Sequence, residues 1–204
     1  MKTQQKNRFK KAKEIFHDRG GALKTGEALS AGIHPRTLYE MQRRGILEKL
    51  SRGLYRLTDL PPLGNPDLVS VALRVPSGVI CLISALAYHE ITTQIPHEIY
   101  LALGRGAEPP RLEHPPVRVF WFSGEAFTEG IETHNAEGVP VRVYCPAKTI
   151  ADCFKYRNKI GLDVAIEALR DGLKKRKCTV DELWYYARVC RVTNVLRPYL
   201  EATV

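Results

Sequence analysis

One stretch, residues 34–57 (HPRTLYEMQRRGILEKLSRGLYRL), changes its hydrophobic period part-way along and so restricts what the rest of the chain can build around it. Pro35 suits a first helical position, because its φ is already helical and the N–H it lacks would have no partner there. Leu38 and Met41 share one face with Ile33 just outside the N-terminus, while Arg36, Tyr39, Gln42 and Arg43 take the other. Gly45 ends the helix, for a predicted span of 35–44. Two short apolar or alternating runs follow, Ile46-Leu47 and Leu54-Tyr55-Arg56-Leu57. The polar segment 49–53 joins them, with Gly53 as the turn residue. A helix running into a two-stranded wing, 46–57, is the expected product.

Upstream, Phe9, Ala12, Ile15 and Phe16 recur at helical spacing within 7–18, with Arg8, Lys10, Lys11 and Lys13 around the other faces. Gly20-Gly21 breaks that helix. A second short helix is predicted over 27–31, with Thr25 as a candidate N-cap and Gly32 as its stop. Helix 2, the turn Gly32-Ile33-His34 and helix 3 make a helix-turn-helix, and the hairpin behind them makes it winged. Residues 1–58 hold 14 Lys+Arg against 5 Asp+Glu, whereas 59–204 hold 17 of each. All of the basic excess is therefore on the small N-terminal domain, the electrostatic footprint of a polyanion such as nucleic acid. A recognition helix brings its outward and N-terminal residues to base edges, which nominates Arg36, Thr37, Tyr39 and Gln42. Arg43 and Arg44, near the far end, suit phosphate. Arg52 at the wing tip suits a minor groove or the backbone, with Arg56 beside the strand. Lys24 and Thr25, leading into helix 2, complete the DNA-facing set. A winged helix devoted to protein contacts is the alternative.

The segment DLPPLGNPD (59–67) is dense in proline and glycine and reads as a linker over 59–66, with a second domain over 67–204. That domain opens with a helix over 68–75. It continues with the most apolar run of the chain, 79–91, where Ser84-Ala85-Leu86-Ala87 favours a buried helix over a strand. Tyr88-His89 at its end reads as a capping or packing pair. Strands are predicted at 97–103, 117–122, 130–134 and 139–144, the last two joined by a turn at 135–138. Helices return at 146–156, 162–173, 179–189 and 193–200, the third opened by the capping box Thr179-Val-Asp-Glu182. The fold class is α+β: an N-terminal winged helix-turn-helix domain over 1–58, then a mixed α/β domain. Residues 140–204 hold 13 basic and 7 acidic side chains, against 4 and 10 in 59–139. Lys155, Arg157, Lys159 and Lys174-Lys175-Arg176-Lys177 form either a solvated face or a docking surface for nucleic acid or an acidic partner.

The first residues carry charge with no apolar run behind them, and no stretch approaches the ~18 apolar residues of a bilayer span. A cytoplasmic protein with no membrane partner is expected. The five cysteines, Cys81, Cys145, Cys153, Cys178 and Cys190, form no C-x-x-C pair and are read as reduced core residues. No Walker loop, Gly-x-Gly-x-x-Gly, Gly-x-Ser-x-Gly or His-Glu-x-x-His occurs. The six histidines lack ligand spacing, and Asp152 and Asp163 are too isolated for a metal-dependent nuclease. No catalytic residue, metal or cofactor is expected. Lys148 and Asp152 have the spacing of an intrahelical ion pair, with Lys155 close to the same side.

LSRGLYRL (50–57), SALAYHEIT (84–92) and PAKTIADCFKYRNKIGLDVAIEALRD (146–171) together resemble the AbiEi antitoxins of bacterial toxin–antitoxin and abortive-infection, phage-defence systems. The three segments occur in the family's order across nearly the whole chain. The resemblance implies a winged helix that binds inverted repeats in double-stranded DNA of the operon's own promoter, with negative autoregulation. It also implies a second, antitoxin domain that counteracts a nucleotidyltransferase toxin. Lys148, Thr149, Asp152, Lys155, Tyr156 and Arg157 would be that domain's signature, and a functional face and an ion-paired structural helix fit them equally well. The competing reading is a winged-helix repressor whose second domain senses a ligand or dimerises, with no toxin.

Overall fold

The computed structural model describes residues 2–60, 64–136 and 139–203. They divide into two compact units, Met1–Arg74 with Asn135–Val141, and Val75–His134 with Arg142–Val204. The first begins with helix α1 (Lys2–Asp18), strand β1 (Ala22–Lys24) and helices α2 (Thr25–Ser30) and α3 (Pro35–Arg43). The hairpin β2 (Leu47–Ser51) and β3 (Leu54–Leu57) and helix α4 (Pro66–Arg74) follow. Helix α3 starts where its sequence dictates. Pro35 occupies the first turn, and His34 caps it by accepting the Arg36 N–H on Nδ1 at 3.2 Å. Gly45, just past the end, takes the left-handed φ of +69° that a side chain resists. Phe16, Ile33, Leu38, Met41, Leu47 and Leu57 bury together as the core behind α3.

Strand β1 has no counterpart in the sequence reading, because three residues after a Gly-Gly break are too few for an alternation to register. It pairs antiparallel with β3, which becomes the central strand of a three-stranded sheet, β1-β3-β2. The other side of this unit also has a core: Ala22, Val69 and Val139, with Leu50, Ala72, Leu73 and Ala136 packed against them. Helix α4, expected at the head of the second domain, is thereby part of the first unit. Residues 61–63 of the expected linker and 137–138 of the expected turn lie outside the described residues.

A five-stranded sheet is formed by β4 (Val79–Ile80), β5 (Ile99–Gly104), β6 (Val117–Phe122), β7 (Ile131–Ala136) and β8 (Val139–Tyr144), in the order β6-β5-β4-β8-β7. β4 runs antiparallel to β5 and parallel to β8, and β5 runs parallel to β6. The architecture is mixed α+β with two sheets. The helix expected over 79–91 divides into β4 and helix α5 (Leu82–Tyr88). Val79 and Ile80 are buried between two neighbouring strands, and a continuous apolar run carries no period that separates a buried strand from a buried helix.

The helices of the C-terminal half are α7 (Pro146–Lys155), α9 (Leu162–Lys174), α10 (Val180–Val189) and α11 (Thr193–Glu201), close to their predicted spans. Two single-turn helices, α6 (Glu125–Thr128) and α8 (Arg157–Ile160), precede and follow α7. Helix α7 packs against α5, α9, α10 and α11, and each residue from Ala147 to Phe154 is buried. The capping box of α10 is present: Thr179 Oγ1 accepts the Glu182 N–H at 3.3 Å, and Glu182 Oε2 accepts the Thr179 N–H at 2.7 Å. Thr179→Ala is expected to cost about 1 kcal/mol. The check is a lower urea midpoint at unchanged slope.

All five cysteines are free thiols. Burial pushes Cys178 up to about 12, and Cys81, Cys145, Cys153 and Cys190 also above their ordinary value. A thiol raised in this way stays protonated at pH 8 and is a poor nucleophile. Ellman's reagent is therefore expected to react slowly with the native chain and rapidly at five positions in guanidinium. Fast labelling without denaturant would contradict this burial. Among the described residues no helix is long and apolar enough to cross a membrane.

Candidate nucleic-acid interface

Helix α3 turns Leu38 and Met41 inward and a basic surface outward. Arg36, Arg43 and Arg44 are exposed, and so is Tyr39 at 53%, an unusual degree for a large aromatic ring. Gln42 is half-buried between them. Arg44 is held along the helix, its guanidinium 3.0 Å from Glu40 Oε1 and 5.1 Å from the centre of the Phe9 ring. Arg36 and Arg43 make no ion pair among the described residues. The hairpin turn is tied to the start of α2, since both the N–H and the hydroxyl of Thr25 donate to the Gly53 carbonyl, at 2.8 and 3.2 Å. The exposed Arg52 thus sits on an anchored turn. Helix α2 begins at Thr25 with half-buried Lys24 as its cap residue, and the Lys24 N–H donates to Glu27 Oε2 at 2.7 Å. Thr25 is therefore not the cap.

Two of the predicted DNA-facing residues are placed elsewhere. Thr37 is only 6% exposed, off the outward row of α3 and on its side toward α1. Arg56 is 3% exposed, opposite Ala22 and Glu48 on the central strand, with Nη1 2.8 Å from Glu48 Oε1. A free two-stranded wing would leave Arg56 wet. The third strand removes that freedom.

An exposed basic helix next to a tethered hairpin can present cations along a groove and its phosphates, and the same segment carries a recognisable sequence pattern. Residues 10–58 match the family "transcriptional regulator, AbiEi antitoxin". The AbiEi match runs from within α1 to just past β3, the block that holds the basic face. No curated protein matches the chain. Among solved structures, the crystal structure of the RV2827C protein from Mycobacterium tuberculosis is similar in fold, with a TM-score of 0.57 and 15% identity. The likeness covers 93% of this chain and 79% of that one.

Beyond the segment matched to AbiEi, the signature expected on a functional face of the second domain lies mostly inside the protein. Lys148, Thr149 and Asp152 are fully buried. Lys148 Nζ is 2.5 Å from Asp152 Oδ2 and 4.1 Å from the centre of the Tyr144 ring. The Cys190 thiol donates to Asp152 Oδ1 at 3.2 Å, and the Thr149 hydroxyl donates to the Tyr144 carbonyl at 3.0 Å. Burial pushes the Asp152 carboxyl up, while the Lys148 ammonium beside it pulls the other way. Apart from this pair, residues 147–154 are small or apolar, a composition that suits burial all round without requiring it. Tyr156 and Arg157 are half-buried, donating to the carbonyls of Trp121 and Phe154 at 3.3 and 2.9 Å. Of the set, Lys155 is exposed. His89 Nε2 lies 2.7 Å from the Tyr144 carbonyl, and the rings of Tyr88 and His134 are 5.0 Å apart, as a packing pair would place them. Among the described residues no group of three or more His, Cys, Asp or Glu side chains could hold a metal ion.

Proposed function

We propose that this protein is a DNA-binding antitoxin that represses its own operon. The first unit acts as a winged helix on double-stranded promoter DNA, with α3 in the major groove and the turn bearing Arg52 as the wing. The supporting observation is the exposed row Arg36, Tyr39 and Arg43 beside an Arg52 turn anchored by Thr25, inside the segment that matches AbiEi regulators. Arg36 and Gln42 read base edges, and Arg43, Arg44 and Lys24 hold phosphates. An inverted repeat offers two equivalent half-sites, so two copies of the chain bind each operator. The second unit counteracts a nucleotidyltransferase toxin. This half of the reading is supported by the resemblance of residues 146–171, and with α7 buried from Ala147 to Phe154 its contacts fall to the exposed Lys155 at the helix end and Lys159 beyond it. Neither role calls for a metal or a catalytic residue, and both belong to the cytoplasm.

The test of the DNA half is a titration of the full chain against its own upstream DNA and a scrambled duplex at two salt concentrations. A promoter preference of about 10³ or more is expected, with affinity falling steeply as salt rises. Equal affinity for the two duplexes ends this half of the reading. Co-expression with a nucleotidyltransferase encoded in the same operon tests the other half: growth is restored by the wild type, and an unrescued culture with soluble, folded chain refutes it.

A further inference from the structure

We infer that the cleft between α1 and the first turn of α3 binds a phosphate group, supplied in the DNA complex by one backbone phosphate of each half-site. The inference rests on the DNA reading above and adds a site that reading does not contain. The cleft measures about 210 Å³. Arg8 and Lys11 line it from α1, and His34 and Thr37 from the start of α3, together with Ile15 and Ile33. No carboxylate lines it.

Thr37 carries the chemistry. It is 6% exposed, yet its hydroxyl has no hydrogen-bond partner among the described residues. It is also not sealed inside the protein, since Ser70 is the buried side chain left without a partner among the described residues. A threonine within a helix ordinarily returns its hydroxyl to its own backbone or turns it to solvent. Here it opens onto a cationic cleft. His34 supplies a second donor, because its Nδ1 accepts the Arg36 N–H at 3.2 Å and the ring hydrogen is then on Nε2. The first free amides of the helix are already used, Arg36 by His34 Nδ1 and Thr37 by the His34 carbonyl at 2.9 Å. Recognition therefore falls to side chains, with the positive end of the α3 dipole behind them. Two cations, a hydroxyl and an imidazole N–H, with no competing anion, match a tetrahedral oxyanion that needs several donors and one compensating charge. Because the cleft lies at the end of α3 that leads into the groove, the phosphates walling that groove are the ones within reach.

The experiment compares the full chain with Arg8→Ala/Lys11→Ala and Thr37→Val on promoter duplexes that carry a single neutral methylphosphonate linkage, moved one position at a time. The double variant alters exposed side chains and keeps the fold, which guards against misfolding of Thr37→Val. The double variant is expected to lose roughly tenfold affinity for promoter and scrambled duplex alike, with a salt slope lower by about 0.9 for one lost phosphate contact. At one linkage per half-site the neutral substitution weakens the wild type and leaves the double variant no weaker. If both proteins respond alike at every linkage, the cleft holds no DNA phosphate, and the DNA reading stands without it. Inorganic phosphate titrated onto the free chain, followed by NMR at the backbone amides of Arg36 and of position 37, separates the remaining case. A saturable shift in the wild type, lost in both variants, together with no promoter preference, keeps the cleft as a free-phosphate site while the DNA reading falls. No shift and no linkage dependence end the proposal.

Discussion

Lys148→Met is expected to destabilise the second unit by about 3–5 kcal/mol, because it leaves the Asp152 carboxylate buried without its counter-charge. The lysine is held between Asp152 and the ring of Tyr144 with no access to solvent. Replacing both partners, Lys148→Met with Asp152→Leu, is expected to return stability close to that of the wild type or above it, since the desolvation cost disappears with the charges. Both tryptophans, Trp121 and Trp184, lie in the second unit, so selectively excited tryptophan fluorescence in urea reports that unit alone. The pH dependence has a definite sign. Burial raises the folded Asp152 carboxyl above its unfolded value, so its contribution is fully present below the unfolded value and is lost as pH rises through the folded one. Removing the lysine raises it further, and the deficit of the single variant shrinks on acidification. A double variant as unstable as the single one would show that the pair is not what holds α7. Toxin neutralisation retained by a stable double variant would place the pair in the architecture and not in the contact.

Arg36→Ala is expected to weaken promoter binding by about 1–3 kcal/mol, the worth of one bidentate base contact, and to leave the scrambled duplex little changed. Arg52→Ala has the opposite signature, weakening both duplexes by one factor and lowering the salt slope by about 0.9. The distinction follows from position. Arg36 is on the exposed side of the first turn of α3, and Arg52 is at the tip of a turn held to Thr25. Affinities of both variants for both duplexes at two salt concentrations decide it. If Arg36→Ala lowers both affinities equally, α3 follows the backbone and does not read the bases.

The periodic helices of this chain are legible in its sequence. Pro35 and Gly45 punctuate α3, and Thr179 with Glu182 announce α10, because each acts within one turn of the backbone. What escaped depends on partners distant in the chain. Arg56 reads as an outward residue until Ala22–Lys24 pairs alongside it. Val79 and Ile80 read as helix until β5 and β8 flank them. Of the residues predicted to face DNA, Arg36, Tyr39, Arg43 and Arg52 are exposed, because a single helix or turn sets their exposure. The signature of the second domain survives least, because the i, i+4 spacing of Lys148 and Asp152 fits a wet helix as well as a dry one. The environment of α7 is what distinguishes them.

The first unit is made of two stretches of chain, with Val139 and Ala136 packed among Ala22, Leu50 and Val69. A recombination event that joined a different N-terminal domain at 59–66 would bring in new partners for α4 while retaining 135–141 from the old protein. The exchange succeeds only when both junctions change together. The smallest block that can be exchanged with its core intact is therefore 1–74 together with 135–141.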